Sequence, residues 1–269
     1  MTISFLPIDN GRIAVDIRGD GPLVVCSPAM GDTRDAFDPL ARHLIEHGFR
    51  VAQLDLRGHG DSDTTFQDYG DEATASDLLA VIERYGDGRA YVIGASMSAA
   101  ATVIAAGMRP DAIAGIVLVA PFLRGGGAVS TAVLSCVLAR PWGPIVWKAY
   151  SRRLWPGLGA GAKARAAHAT QLLTRPGRWR AFARTARTDH SVVEPWLSQV
   201  SAPSLIVMGA ANPDWKSPDD EARWAAEKLD SQMMLVPGLG HAPMLESPEL
   251  VSARITEFLE GLQHAARRS

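Results

Sequence analysis

The sequence is short of cysteine, of long apolar stretches, of a surplus of either charge and of the glycine patterns that cradle phosphate, and each shortage removes a class of protein. Cys26 and Cys136 are the only cysteines among 269 residues. They are too few and too far apart for a disulfide framework, so both are expected to be buried thiols in a reducing compartment. No apolar run reaches the length of a bilayer crossing, and the opening "MTISFLPIDNGRIAV" has neither the basic start nor the long apolar core of a secretory leader. A cytoplasmic location without stable membrane insertion is the expectation. The formal net charge of −2 gives no overall attraction to nucleic acid. The G-x-G pairs, such as Gly58-His59-Gly60 and Gly238-Leu239-Gly240, never continue to a third glycine at dinucleotide spacing. "RGHGDSD" lacks a second histidine or cysteine at ligand spacing. Neither a cofactor nor a metal is therefore expected.

What is present is an ordinary globular composition, 47% hydrophobic and 21% charged, in a chain long enough for one large domain or a core carrying an insertion. Short apolar runs alternate with helical spacing, the pattern of a mostly parallel sheet covered on both faces. "ISFLPI" and "RIAVDI", joined at Asp9-Asn10-Gly11, read as an opening hairpin. "PLVVCSP", "RVAQLDL", "AYVIGA" and "IAGIVLVAPF" read as strands, separated by helices in "DAFDPLARHLIEHGF", "ATASDLLAVIERYG" and "MSAAATVIAAGM". The rhythm resumes with "PSLIVMG", "DDEARWAAEKL", "QMMLVPG" and "ELVSARITEFLEGL".

Between the two blocks the character changes. Residues 123–195 carry 12 Lys and Arg against 2 Asp and Glu, and four of the seven tryptophans, with helical rather than strand spacing. A stretch of this length between two strands of one sheet reads as an inserted helical cap on a core made of 1–122 and 196–269. Its apolar run "AVSTAVLSCVLARPWGPIVW" could wall a pocket. Its positive charge is expected to be a solvated face balancing the acidic core; an anionic substrate or a membrane surface is the sharper alternative.

"AYVIGASMSAA" runs from a strand into an alanine-rich helix with Ser96 at the corner and small residues, Gly94 and Ser98, two positions to either side. A helix-capping serine is the plain reading of such a corner. The stretch also resembles the nucleophile elbow of the α/β-hydrolase family, in which a strained turn lifts a serine hydroxyl above the sheet edge. The family's second glycine is replaced here by Ser98, a change that stays small. A serine needs a base, a group to orient that base, and backbone donors for the oxyanion. The resemblance implies an α/β-hydrolase fold, a mostly parallel central sheet flanked by helices with the cap inserted, and it points to each of these parts.

In the family the histidine follows the last strand, and His241 in "LVPGLGHAPMLESPE" occupies that place; His59 lies in a structural loop bordering the site. The family's acid pattern, G-x-x-D-x-x-[ST]-P, is ambiguous here. Counting from Gly209 reaches Asn212, whereas counting back from Ser217-Pro218 reaches Asp214, as if two residues were inserted. Asp214 is the reading adopted; an amide at this place would select the wrong imidazole tautomer. The oxyanion donors implied are the N–H groups of Met97, after the serine, and of Met30, in "CSPAMGDTRDAF", where Pro28-Ala29 stands for the family's His-Gly. These residues imply a serine hydrolase that cleaves carboxylic esters of small molecules, with Ser96 as nucleophile, His241 as general base then acid, and Asp214 orienting it. Haloalkane dehalogenases and epoxide hydrolases of this fold use an aspartate nucleophile, so Ser96 argues against both. Hydrolysis of carbon-carbon bonds in acidic ring-cleavage products, and a non-catalytic binding protein with a decayed site, remain the alternatives.

Overall fold

The computed structural model describes residues 3–125 and 133–268. Its centre is an eight-stranded sheet in the order β1-β2-β4-β3-β5-β6-β7-β8. The strands are β1 (Ile3–Ile8), β2 (Gly11–Arg18), β3 (Leu23–Ser27), β4 (Arg50–Leu54), β5 (Ala90–Ala95), β6 (Ile113–Val119), β7 (Ser204–Gly209) and β8 (Gln232–Val236). β1 pairs antiparallel with β2, and β2 with β4; every later pairing is parallel. β3, β5 and β7 are buried at every position, which follows from helices covering both faces.

On one face α2 (Asp71–Tyr85), α3 (Met97–Met108) and α7 (Pro218–Leu229) bury Leu78, Val103 and Ala222 against the sheet. On the other, α1 (Asp38–Glu46) and α8 (Pro248–Ala266) bury Leu40, Leu44, Val251 and Ile255. Each large aliphatic side chain removed from water contributes about 1.5–3 kcal/mol. The expected first helix is divided: a 3₁₀ turn at Arg34–Phe37 precedes α1. Pro39 sits in the first turn of α1, where its missing N–H is tolerated and its ring obstructs a helix continuing from upstream.

Between β6 and β7 the described residues hold helices and no strand, chiefly α4 (Gly143–Ser151), α5 (Gly161–Leu173) and α6 (Arg178–Thr185). Residues 128–132 of the apolar run named above lie outside the described residues. The helices have a small core of their own, Leu138, Trp147, Leu173, Trp179, Phe182 and Ala186. Their positive charge is not simply a solvated face. Arg165 pairs with Asp32 and, at 2.7 Å, with Asp35. Arg178 donates to the carbonyls of His59 and Ser62 at 3.1 and 2.8 Å, and Arg184 to that of Phe66 at 3.3 Å. Guanidinium groups, with several donors on one planar head, tie these helices to carboxylates and carbonyls of the core. Cys26 is buried, but Cys136 is exposed, so the expectation of two buried thiols fails for the second, which lies on an exposed position of a helical turn. Among the described residues no helix is long and apolar enough to cross a membrane.

Candidate active site

The turn from β5 into α3 is built on close approach. A Cβ at Gly94 would lie 2.3 Å from the Ser98 carbonyl oxygen and 2.4 Å from Thr102 Oγ1, so only glycine lets the helix start against the strand. Ser96 takes φ 58° and ψ −120°, a left-handed conformation that costs a non-glycine residue on the order of 1–3 kcal/mol. The surroundings enforce it: Ser96 N–H donates to the Val119 carbonyl at 2.8 Å, while the Ser96 carbonyl accepts from Ala99 N–H at 3.0 Å. Ser98, where the family pattern has glycine, is fully buried. Its Oγ donates to the Pro28 carbonyl at 2.6 Å and accepts from Ser27 Oγ at 2.8 Å. The substitution therefore does more than remain small. It fastens the elbow to the loop after β3.

That loop carries Met30. His59, buried, donates from Nδ1 to the Arg57 carbonyl (3.0 Å) and accepts at Nε2 from Gly31 N–H (3.1 Å), a pattern that requires the neutral ring; burial pushes its pKa down to about 4. With Gly31 N–H engaged by His59 and Asp32 N–H by the Ala29 carbonyl at 3.1 Å, Met30 N–H bonds to nothing among the described residues. Met97 is the first residue of α3, so its N–H has no partner within the helix.

His241 enters from the loop after β8. Its N–H donates to the Leu154 carbonyl at 2.7 Å, and the buried Glu246 carboxylate accepts from the N–H groups of Gly240 (2.9 Å), Ala242 (3.1 Å) and Gly157 (2.7 Å). Three backbone donors on one carboxylate hold the histidine loop rigid. A Cβ at Gly209 would lie 2.1 Å from the Gly240 carbonyl oxygen, so glycine at the end of β7 lets the loop after it meet the His241 loop.

In that loop the two acid candidates separate. Asp214 Oδ2 lies 2.7 Å from His241 Nδ1. Asn212 is buried behind it, accepting from Asp214 N–H at 3.2 Å and donating weakly to Met208 Sδ at 3.7 Å. The other Asp214 oxygen accepts a hydrogen bond from the Tyr150 hydroxyl of α4. Burial works against the charged form of both members of the pair, but each outweighs that penalty for the other. His241 is held above its ordinary range by Asp214, and Asp214, by His241 and Tyr150, below the usual carboxylate range. Tyr150 is pushed well up by burial and by Asp214 and stays a donor.

Met30, Ser96, Met97, Asp214 and His241 all border one cavity of about 840 Å³, and Asn212 does not. The insertion supplies an apolar side with Leu134, Val146, Trp147 and Leu154; Arg124, His190, Lys216 and Glu221 make a polar side. Reasoning from sequence missed Tyr150, Glu246 and His190. Glu246 lies five residues beyond His241, a spacing that could have drawn notice; nothing local marks the other two. Among the described residues no three His, Cys, Asp or Glu side chains converge as metal ligands.

A serine in a strained turn, a histidine paired with a carboxylate and two unengaged N–H groups around one cavity can support acyl transfer. The family model described as "Alpha/beta hydrolase family" matches residues 24–254. The chain is 29% identical over 269 residues to 2-(acetamidomethylene)succinate hydrolase of Mesorhizobium japonicum, covering 94% of each. Among solved structures it resembles a thermophilic esterase from Thermogutta terrifontis, with a TM-score of 0.83, 23% identity and coverage of 97% of this chain and 99% of that one. It also resembles the enol-lactonase from Burkholderia xenovorans, with a TM-score of 0.82, 20% identity and coverage of 96% and 100%.

Proposed function

We propose, from the premise that the chain belongs to the alpha/beta hydrolase family and is a hydrolase, that it cleaves carboxylic esters of small molecules through an acyl-enzyme on Ser96. The observation that carries this reading is the 2.7 Å contact of Asp214 with His241 on the cavity that Ser96 borders. Ser96 Oγ attacks the ester carbonyl carbon as its proton passes to His241 Nε2, and Asp214 stabilises the imidazolium. The oxyanion accepts from the N–H groups of Met30 and Met97, donors already in place before charge develops. Collapse breaks the bond to the alkoxy oxygen, which leaves as alcohol with the proton from His241. Water then attacks the acyl carbon, assisted by the neutral histidine, and releases the acid and free Ser96. The helices between β6 and β7 act as the cap, setting which acyl groups fit.

A second reading, hydrolysis of an acyl bond other than an ester with the same three residues, draws on the Mesorhizobium relative, whose substrate carries carboxylates and an acetamido group. Turnover of short aryl esters, stopped by Ser96→Ala and by a fluorophosphonate that labels Ser96, is the expected result. Absence of both turnover and labelling would overturn the proposal.

A further inference from the structure

A second histidine-carboxylate pair borders the same cavity. His190 Nδ1 lies 2.7 Å from Asp71 Oδ2; the Asp71 side chain is fully buried, whereas His190 is 19% exposed and lines the cavity. The two residues are far apart in sequence, Asp71 opening α2 and His190 following α6, so the pair closes only when the insertion meets the core. One proton lies between Nδ1 and Asp71 Oδ2 in this contact, so Nδ1 is committed to Asp71. The nitrogen left for the cavity is Nε2, which bonds to nothing among the described residues.

Asp71 depends on this contact. Its second oxygen, Oδ1, is buried without a partner, and among the described residues no lysine or arginine pairs with it. Glu72 and Asp189 add further negative potential. A buried carboxyl is costly unless it is hydrogen-bonded, and His190 Nδ1 makes that bond, which fixes the ring and leaves Nε2 to the cavity. Nε2 is then the atom of the pair placed to hydrogen-bond a substrate oxygen. Phe122 touches both this ring and the proposed base, with its centroid 5.8 Å from that of His190 and 6.1 Å from that of His241. Both imidazoles therefore meet one phenyl ring on the wall of the same cavity.

We infer that His190, oriented by Asp71, binds an oxygen acceptor on the substrate, a carboxylate or a ketone carbonyl, several bonds from the scissile carbonyl. The substrates are thus oxygenated acyl compounds rather than plain alkanoates. The inference rests on the reading of Ser96 as the reacting serine for its geometry, but binding tests it without turnover. Calorimetry on Ser96→Ala would compare hexanamide, adipamate and 5-oxohexanamide. The expected result is that at least one of the two oxygenated ligands binds about tenfold more tightly than hexanamide, the scale of one well-placed hydrogen bond, and that this margin vanishes in Ser96→Ala/His190→Phe. A margin confined to adipamate identifies a carboxylate and one shared with 5-oxohexanamide identifies the carbonyl oxygen; both support the inference. Asp71→Asn keeps the ring but removes the carboxyl that orients it, so it should shrink the margin even if the His190 variant folds poorly. No margin, or a margin that survives both substitutions, overturns it. Fluorophosphonate labelling of the wild type reports on Ser96 separately: labelling without a margin sinks His190 alone, and a margin without labelling sinks the proposed nucleophile alone.

Discussion

Tyr150→Phe removes one hydroxyl from α4 and asks whether the insertion helps to set the proposed catalytic acid. The hydroxyl donates to Asp214, whose other oxygen faces His241. A hydrogen bond to a charged group contributes about 1.5–3 kcal/mol, and unfolding free energy should fall toward the lower figure because Tyr150 is half-buried. The electronic effect has a definite sign. Without the hydroxyl the carboxylate is more basic, so the imidazolium beside it gains stability and His241, already held above its ordinary value of 6.5, rises further. The base must be neutral to act, so the acidic limb of kcat/KM should move to higher pH. The plateau should also drop about tenfold as the acid loses a partner that fixes its rotamer. The other charged groups near the triad, Asp32 and Glu246 beside His241 and Arg153 beside Tyr150, are unchanged in the variant, so the shift belongs to the hydroxyl. The assay is hydrolysis of a short aryl ester across neutral pH, paired with urea unfolding. An acidic limb that stays in place or moves down, together with the same loss of stability, would refute the reasoning and leave Tyr150 a packing residue.

The two acid candidates should separate by mutation. Asp214→Asn is expected to lower kcat by about 10⁴-fold through loss of the imidazolium partner and the wrong tautomer, whereas Asn212→Ala, which removes an acceptor for Asp214 N–H and a weak donor to Met208 Sδ, should cost no more than about tenfold; the reverse order would overturn the assignment. His59 should make the fold acid-sensitive. Its pKa is near 4 when folded against an ordinary 6.5, so below 6.5 the unfolded chain takes up a proton that the folded one refuses until about pH 4. Stability is therefore present above 6.5 and lost as pH falls through this window, by about 3 kcal/mol from this group. Urea midpoints between pH 7 and 4 should fall less steeply in His59→Gln than in the wild type, and equal slopes would count against the buried neutral ring.

Much of the backbone was legible in advance. The apolar runs at "PLVVCSP" and "AYVIGA" mark buried strands because a strand covered on both faces has no polar side to show. Gly94 and the alanines after Ser96 mark the elbow because close approach of a helix to a strand excludes anything larger. The division before α1 was missed although Pro39 signalled it, because the amphipathic spacing runs unbroken through the 3₁₀ turn. The insertion's arginines were read as a solvated face, since charge in a sequence carries no direction until its partner's position is known.

The sequence by itself thus determined the order of strands and helices, the sharp turn at Ser96 and the pool of polar residues around it, all of which depend on neighbours a few positions away. Only the tertiary structure decided which of Asn212 and Asp214 meets His241, that Tyr150 and Glu246 hold that pair and its loop, and that Asp71 and His190 share a wall of the cavity. Those choices depend on how loops from distant strand ends and the insertion come together, and the distances that fix them, a few ångströms between groups up to 119 residues apart, leave no periodic trace in the chain.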